Sequence, residues 1–290
     1  MKFTYSIPTK ILFGPGSFND LATTPLPGKK ALVVITAGKS MRANGYLDRL
    51  IDMLDKQGIG HALFDKILPN PVLRHVHEGA ALAREQGCDF VVGLGGGSSI
   101  DSAKSIAVMA KNPGDYWDYI SGGSGKGQPL VNGALPIVAI ATTAGTGTEA
   151  DPWTVITKED TNEKIGFGCA ETFPVLSVVD PEMMLTIPAH LTAYQGFDAL
   201  FHATEGYIAN VATPLSDAYA LKSIELLAKY LPAAVKDGSD LEARTQVALA
   251  STLSGMVEST SCCTSEHGMV HALSAFYPKL PHGAGLIMLS

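Results

Sequence analysis

The chain has 290 residues, 46% of them hydrophobic and 17% charged, which is too apolar for disorder and long enough for about two domains. With 28 acidic against 21 basic residues and a net charge of −7, it offers no basic footprint for nucleic acid. No apolar run nears the roughly 20 residues that span a bilayer, and the opening segment has no signal core.

In chain order, residues 31–36 form a short apolar strand, and 46–57 carry Leu47, Leu50, Ile51 and Leu54 at helical spacing. Residues 61–67 read as a strand, 72–86 as a helix, 89–94 as a buried strand and 98–111 as a helix. Further apolar runs at 135–141, 153–157 and 176–179 are separated by Gly, Thr and Pro. This alternation predicts a parallel sheet with helices on both faces. Beyond residue 188 the sequence becomes Ala/Leu-rich with a period of 3.6, predicting helices over 192–208, 215–230, 241–257 and 263–276. The expected organisation is an α/β domain over 1–184 and an all-α domain over 185–290. The closing stretch, Gly285-Leu286-Ile287-Met288-Leu289-Ser290, is apolar and lacks a stop signal, so the helical domain is expected to be incomplete. Four cysteines without C-x-x-C spacing fit a reduced, cytoplasmic protein.

The strand at 89–94 runs into Gly95-Gly96-Gly97-Ser98, with Asp101 three residues on. Consecutive glycines let the backbone approach a bulky anion, and a helix N-terminus turns free N–H groups toward it. Ser98 is expected to cap the helix, with Asp101 completing a capping box. The spacing departs from G-x-G-x-x-G, so this turn reads as a phosphate cradle or as a plain strand–helix turn. A second cluster, Thr142-Thr143-Ala144-Gly145-Thr146-Gly147-Thr148-Glu149, also follows a strand and suits a ribose or phosphate. Ligands of open parallel sheets sit beyond the carboxyl ends of the strands.

Asp198 and His202 stand at i and i+4, so on a helix both project from one face. His267 and His271 repeat that spacing, and His282 follows Pro281 on a turn. One carboxylate with several imidazoles is the ligand set of Zn2+ or Fe2+, although such pairs also occur as surface ion pairs or caps. His75 and His77 are expected to be solvated, and His190 to lie in a loop.

Taken together, these motifs resemble the iron-containing (group III) alcohol dehydrogenase family, a sister of the glycerol dehydrogenase and dehydroquinate synthase families. The matches run from Phe13-Gly14-Pro15-Gly16 through Pro69-Asn70-Pro71, the two Gly/Thr clusters, Asp198-x-x-x-His202-x-x-x-Gly206-Tyr207 and His267-Gly268-Met269-Val270-His271 to Pro281-His282-Gly283. The resemblance implies a dehydroquinate synthase-like architecture, a dinucleotide-binding α/β domain followed by an all-α metal-binding domain. It implies that Asp198, His202, His267 and His282 coordinate the metal. It further implies that Gly95, Gly96, Gly97, Ser98 and Asp101 hold the cofactor pyrophosphate region, with Asn70, Thr142, Thr143, Thr146 and Lys164 at other cofactor contacts. Family members run on for about ninety to a hundred further residues, a domain's worth of helices.

The expected activity is reversible hydride transfer between a small primary alcohol or aldehyde and a nicotinamide cofactor. Fe2+ is the expected metal, with Zn2+ compatible, acting as a Lewis acid on the alcohol oxygen. His271, one turn from His267, is the candidate proton relay. NADP(H) is expected over NAD(H), because Gly38, Lys39 and Ser40 offer room, charge and a donor to a 2′-phosphate where an acidic residue would repel it. Arg42 could add charge, and Asp65 could instead favour NAD(H). A homo-oligomer, dimer or larger, is expected. The competing readings are a dehydroquinate synthase or glycerol dehydrogenase type of relative, and an inactive cofactor-binding fragment.

Overall fold

The computed structural model describes residues 2–290. In the first part, strands and helices alternate: β1 (Lys10–Phe13), α1 (Ser17–Asp20), β2 (Lys30–Thr36), α2 (Ser40–Ala43), α3 (Tyr46–Lys56), β3 (Gly60–Ile67), α4 (Leu73–Gln86), β4 (Phe90–Gly95) and α5 (Gly97–Lys111). Four strands follow: β5 (Ile137–Ala141), β6 (Thr154–Lys158), β7 (Glu163–Phe167) and β8 (Leu176–Val179). Then come α6 (Ala189–Ile208), α7 (Pro214–Lys236), α8 (Leu241–Thr260), α9 (Ser265–Phe276) and α10 (His282–Leu289).

Six strands pair in parallel in the order β1-β8-β5-β4-β2-β3. Alternate residues of each strand point to opposite faces, and both faces are covered. Val33, Ile35, Val92, Leu94, Val138 and Ile140 pack with Phe18, Leu47, Leu50 and Leu54 of α1 and α3. On the other face Leu32, Val34, Val91 and Ile137 meet Val76 and Ala80 of α4 and Ile106 and Ala107 of α5. That double burial is why β2 and β4 read as continuous apolar runs. Since β3 and β4 flank β2 on opposite sides, the winding reverses between β2 and β4, which opens a crevice beyond their carboxyl ends.

A third core joins the two parts of the chain. Ile100, Ala139, Ala141 and Val179 share it with Ala199, Leu226, Leu227, Leu231, Val247 and Ala250 of the helices. Thus α6, α7 and α8 dock on the sheet where the crevice opens.

Several expectations change in the structure. A strand that the periodicity does not predict, β1 at Lys10–Phe13, precedes the strand at 31–36 and forms the far edge of the sheet. The run at 153–157 lies outside the parallel sheet and forms an antiparallel hairpin, β6 with β7. Its turn is set by Asn162, whose φ of 52° is the left-handed conformation that asparagine tolerates. Ser98 is not the helix cap. Gly96 holds that position, and Ser98 Oγ instead donates to Pro69 O at 2.5 Å. His75 is buried against Phe64, because α4 turns that face to the sheet. His190 lies in the first turn of α6, packed edge-on to Tyr194.

Candidate metal centre and cofactor crevice

Helix α6 runs for 20 residues and buries one stripe against the sheet and α8. Asp198, His202 and Glu205 fall three and four apart on that stripe, and all three are buried. His267 comes from the first turn of α9, and His282 opens α10 directly after Pro281, so it sits on a helix end and not on a free turn. The Nε2 atoms of His267, His282 and His202 stand 3.4, 3.5 and 3.8 Å from one oxygen, Asp198 Oδ1. Donors about 2.1 Å from one tetrahedral ion would stand roughly 3.4 Å apart. Asp198, His267 and His282 therefore fit a divalent transition metal, and His202 stands beside them at 3.8 Å from the same oxygen.

Electrostatics show the same convergence. Burial raises the Asp198 pKa, but His202, His282 and His267 outweigh it and hold the carboxyl well below the usual range. Burial lowers His202 to about 3 and His282 to about 4, keeping both rings neutral. His267 moves up to about 9, because Asp198 and Glu205 overcome its burial. Metal-ligating imidazoles are commonly steadied through their second nitrogen. Here His202 Nδ1 lies 3.3 Å from Gly145 O, and His267 Nδ1 lies 3.3 Å from Glu205 Oε1. Glu205 also accepts from the backbone N–H of Thr264 and, at 3.0 Å, from that of His267. A carboxylate from α6 thereby supplies the anion that the N-terminus of α9 lacks from its own cap. Glu205 escaped the sequence reading, although its place at i+3 from His202 was a usable signal. Glu258, on α8, carries no such signal.

The crevice lies beside this cluster, and the Thr/Gly loop after β5 joins the two. A Cβ on Gly96 would come within 2.9 Å of Thr143 Oγ1, and one on Gly97 within 2.7 Å of Thr146 Cγ2. Only glycines let the turn after β4 press against this loop while the N–H groups opening α5 stay free. On its other side the loop passes His202 at Gly145 O, and its Ala144 N–H donates to Gln195 Oε1 at 3.3 Å. The same chain segment thus touches the Gly-rich turn and a metal-ligand candidate.

Gly95, Gly96, Gly97, Thr142, Thr143 and Thr146 all come together in this crevice. Asp101 lies below it, accepting from Thr148 Oγ1 at 2.8 Å and Val155 N at 2.9 Å, so its carboxylate braces the loop and the hairpin. Lys164 extends from β7, bonding Asn70 Oδ1 at 2.9 Å and Ser274 Oγ at 3.1 Å. Burial lowers its pKa to about 8. Asn70 in turn donates to Pro278 O. His271 stacks on His282 with ring centroids 5.4 Å apart. Burial, followed by His282 and Lys164, pushes its pKa well down. Gly38, Lys39 and Ser40 sit apart, at the carboxyl end of β2 and the start of α2.

The family model for iron-containing alcohol dehydrogenase matches residues 8–181. That for the C-terminal part of the Fe-containing alcohol dehydrogenase family matches 192–290. The chain is 39% identical over 280 residues to alcohol dehydrogenase 4 of Schizosaccharomyces pombe, covering 96% of this chain and 65% of that protein. It is 37% identical over 281 residues to the NAD-dependent methanol dehydrogenase of Bacillus methanolicus, covering 96% of this chain and 72% of the relative. Among solved structures, an archaeal halo-thermophilic alcohol dehydrogenase from a Red Sea brine pool superposes with a TM-score of 0.94 at 37% identity. That match covers 99% of this chain and 72% of the other. Two family models in sequence, a shared fold and a converging Asp–His cluster place this chain in the iron-containing alcohol dehydrogenase family.

Proposed function

We propose that this chain carries a metal-dependent alcohol dehydrogenase activity, transferring hydride between a small primary alcohol or aldehyde and a nicotinamide dinucleotide. The observation that carries it is the convergence of three Nε2 atoms on Asp198 Oδ1 beside a Gly-rich crevice, bridged by one loop. Bound there by Asp198, His202, His267 and His282, Fe2+ would supply Lewis-acid chemistry at the substrate oxygen, and Zn2+ suits the same donors. The protein's part is to hold the reactants in line. Gly95, Gly96, Gly97 and Ser98 cradle the pyrophosphate region, while Thr142, Thr143, Thr146, Asn70 and Lys164 flank it and Asp101 braces the loop. His271 is the proposed proton relay, a reading supported by its ring stacking on His282, with burial pushing its pKa well down.

The cofactor proposed is NADP(H). Lys39 is exposed, and no acidic residue stands between positions 37 and 40. Arg42 pairs with Asp65 at 2.6 Å, so the carboxylate that could favour a ribose hydroxyl is already engaged. A homo-oligomer is supported by exposed apolar side chains on the helical part, among them Ile208, Val211, Phe276 and Met288. Free thiols at Cys88, Cys169, Cys262 and Cys263 support a cytoplasmic setting.

The test is elemental analysis with an alcohol-oxidation assay, repeated on His267→Ala and His271→Gln. One divalent ion per chain, lost in the first variant, and turnover lost with metal retained in the second, are expected. Full metal occupancy in His267→Ala would remove that residue from the ligand set. Dissociation constants for both cofactors at one salt concentration decide the preference, and equal or tighter NAD(H) binding overturns NADP(H).

A further inference from the structure

Cys262 and Cys263 lie in the connection between α8 and α9, and the proposed activity uses neither. Both are free thiols. Cys263 Sγ, a ring nitrogen of His202 and a ring nitrogen of His267 all lie within 4.8 Å of one another. Donor atoms of Asp198, His267 and His282 meet the same limit. The two triads share His267, and the rings of His202 and His267 stack at 4.1 Å with only 18° between their planes. His267 therefore belongs to both donor sets, with His202 stacked beside it.

Three polar atoms in this cluster are buried without a hydrogen-bond partner, Glu258 Oε1, His267 Nδ1 and His282 Nδ1. Glu258 is 8% exposed and His267 4%. Glu258 Oε1 stands 3.1 Å from His202 Nδ1 but outside hydrogen-bond geometry, and the nitrogen bonds Gly145 O instead. A buried carboxylate oxygen left unpaired is costly, and a cation beside it removes that cost. The donors also differ in kind. Carboxylate and imidazole suit Fe2+ and Zn2+ alike, whereas a thiolate selects softer ions.

We propose that Cys263, with His202 and His267 and with Glu258 alongside, forms a second donor set overlapping the Asp198 set, which takes thiophilic divalent ions such as Zn2+ or Cd2+. The inference rests on the metal-centre reading above. On ligation the S–H bond breaks, a sulfur–metal bond forms, and the proton leaves to solvent with no change in oxidation state. A thiophilic ion draws His202 and His267 toward the sulfur, while Fe2+ keeps both imidazoles with Asp198 and His282. Metal identity therefore decides which face of the paired imidazoles is occupied.

Cobalt reports both events separately. The metal-free full chain is titrated with Co2+ without oxygen, following visible ligand-field bands for occupancy and near-ultraviolet charge transfer for a sulfur–cobalt bond. Both signals are expected in the unmodified chain, with charge transfer lost in Cys263→Ser and kept in Cys262→Ser. Ligand-field bands without charge transfer in the unmodified chain would overturn the thiolate and leave the metal centre standing. Charge transfer persisting in Cys263→Ser would likewise overturn it. Absence of both signals would overturn the metal-centre reading, and this inference with it.

Discussion

Glu205 shows how much one carboxylate outside the ligand set does. It accepts two backbone N–H groups at the start of α9, which fixes the helix end, and its charge lies 3.3 Å from His267 Nδ1 outside hydrogen-bond geometry. Glu205→Gln keeps the shape but loses the charge. It is expected to weaken metal binding about 10–100-fold, as outer partners of metal ligands do, measured by competition with a chromogenic chelator. Lys164 supplies a pH dependence. Its pKa is lowered to about 8 by burial, against the opposing pull of Asp101 and Asp198, so it is charged below that pH and neutral above it. As the proposed contact for an anionic dinucleotide, it would favour binding while charged. Cofactor affinity is therefore expected to be highest below pH 8 and to fall as pH rises through it. Fluorescence titration of reduced cofactor across that range should show the step, and Lys164→Met should lack it. Both side chains do their work through partners far away in sequence, which is why His202 and Asp198 were legible as a pair while the role of Glu205 was not.

Among the elements, the loop after β5 carries the most consequence, because it is held from two sides. Gly147, at φ 63°, lies so close to Gly255 of α8 that a Cβ on Gly147 would come within 2.5 Å of that backbone. Only glycine accepts both the left-handed conformation and the contact. Gly255→Ala pushes a methyl group into the Gly147 carbonyl and is expected to cost about 1–3 kcal/mol, the usual range for overpacking. Because the loop also presents Gly145 O to His202, metal affinity should fall alongside the melting temperature. A variant of unchanged stability would show that α8 yields at this point. The strands β2, β4 and β5 were readable because both of their faces are apolar. The β6–β7 hairpin was not, since an apolar run of five residues looks the same whether its partner is parallel or antiparallel.

At the scale of the molecule, sheet and helices share a core through Ile100, Ala139 and Val179 with Ala199 and Leu227, and the candidate metal centre joins α6, α9 and α10 beside it. A metal held by three helices stabilises the folded state by mass action, about 2.7 kcal/mol at 100 times its dissociation constant. Chelation is therefore expected to lower the melting temperature in calorimetry, and re-addition of Fe2+ or Zn2+ to restore it. Sequence alone determined the alternation of strands and helices, the change of texture near residue 188, the Gly-rich turn and the i, i+4 pairing on α6. All of these are short-range patterns written by periodicity, and the family resemblance rests on the same motifs. Tertiary structure alone decided the distances at which His282 and His267 meet Asp198, that Glu205 and Glu258 lie behind the imidazoles, and that Cys263 stands within reach of two of them. Apart from Cys263 with His267, those contacts join residues more than fifty positions apart in the chain. Their distances depend on how α6, α8, α9 and α10 pack on one another, which no local pattern encodes.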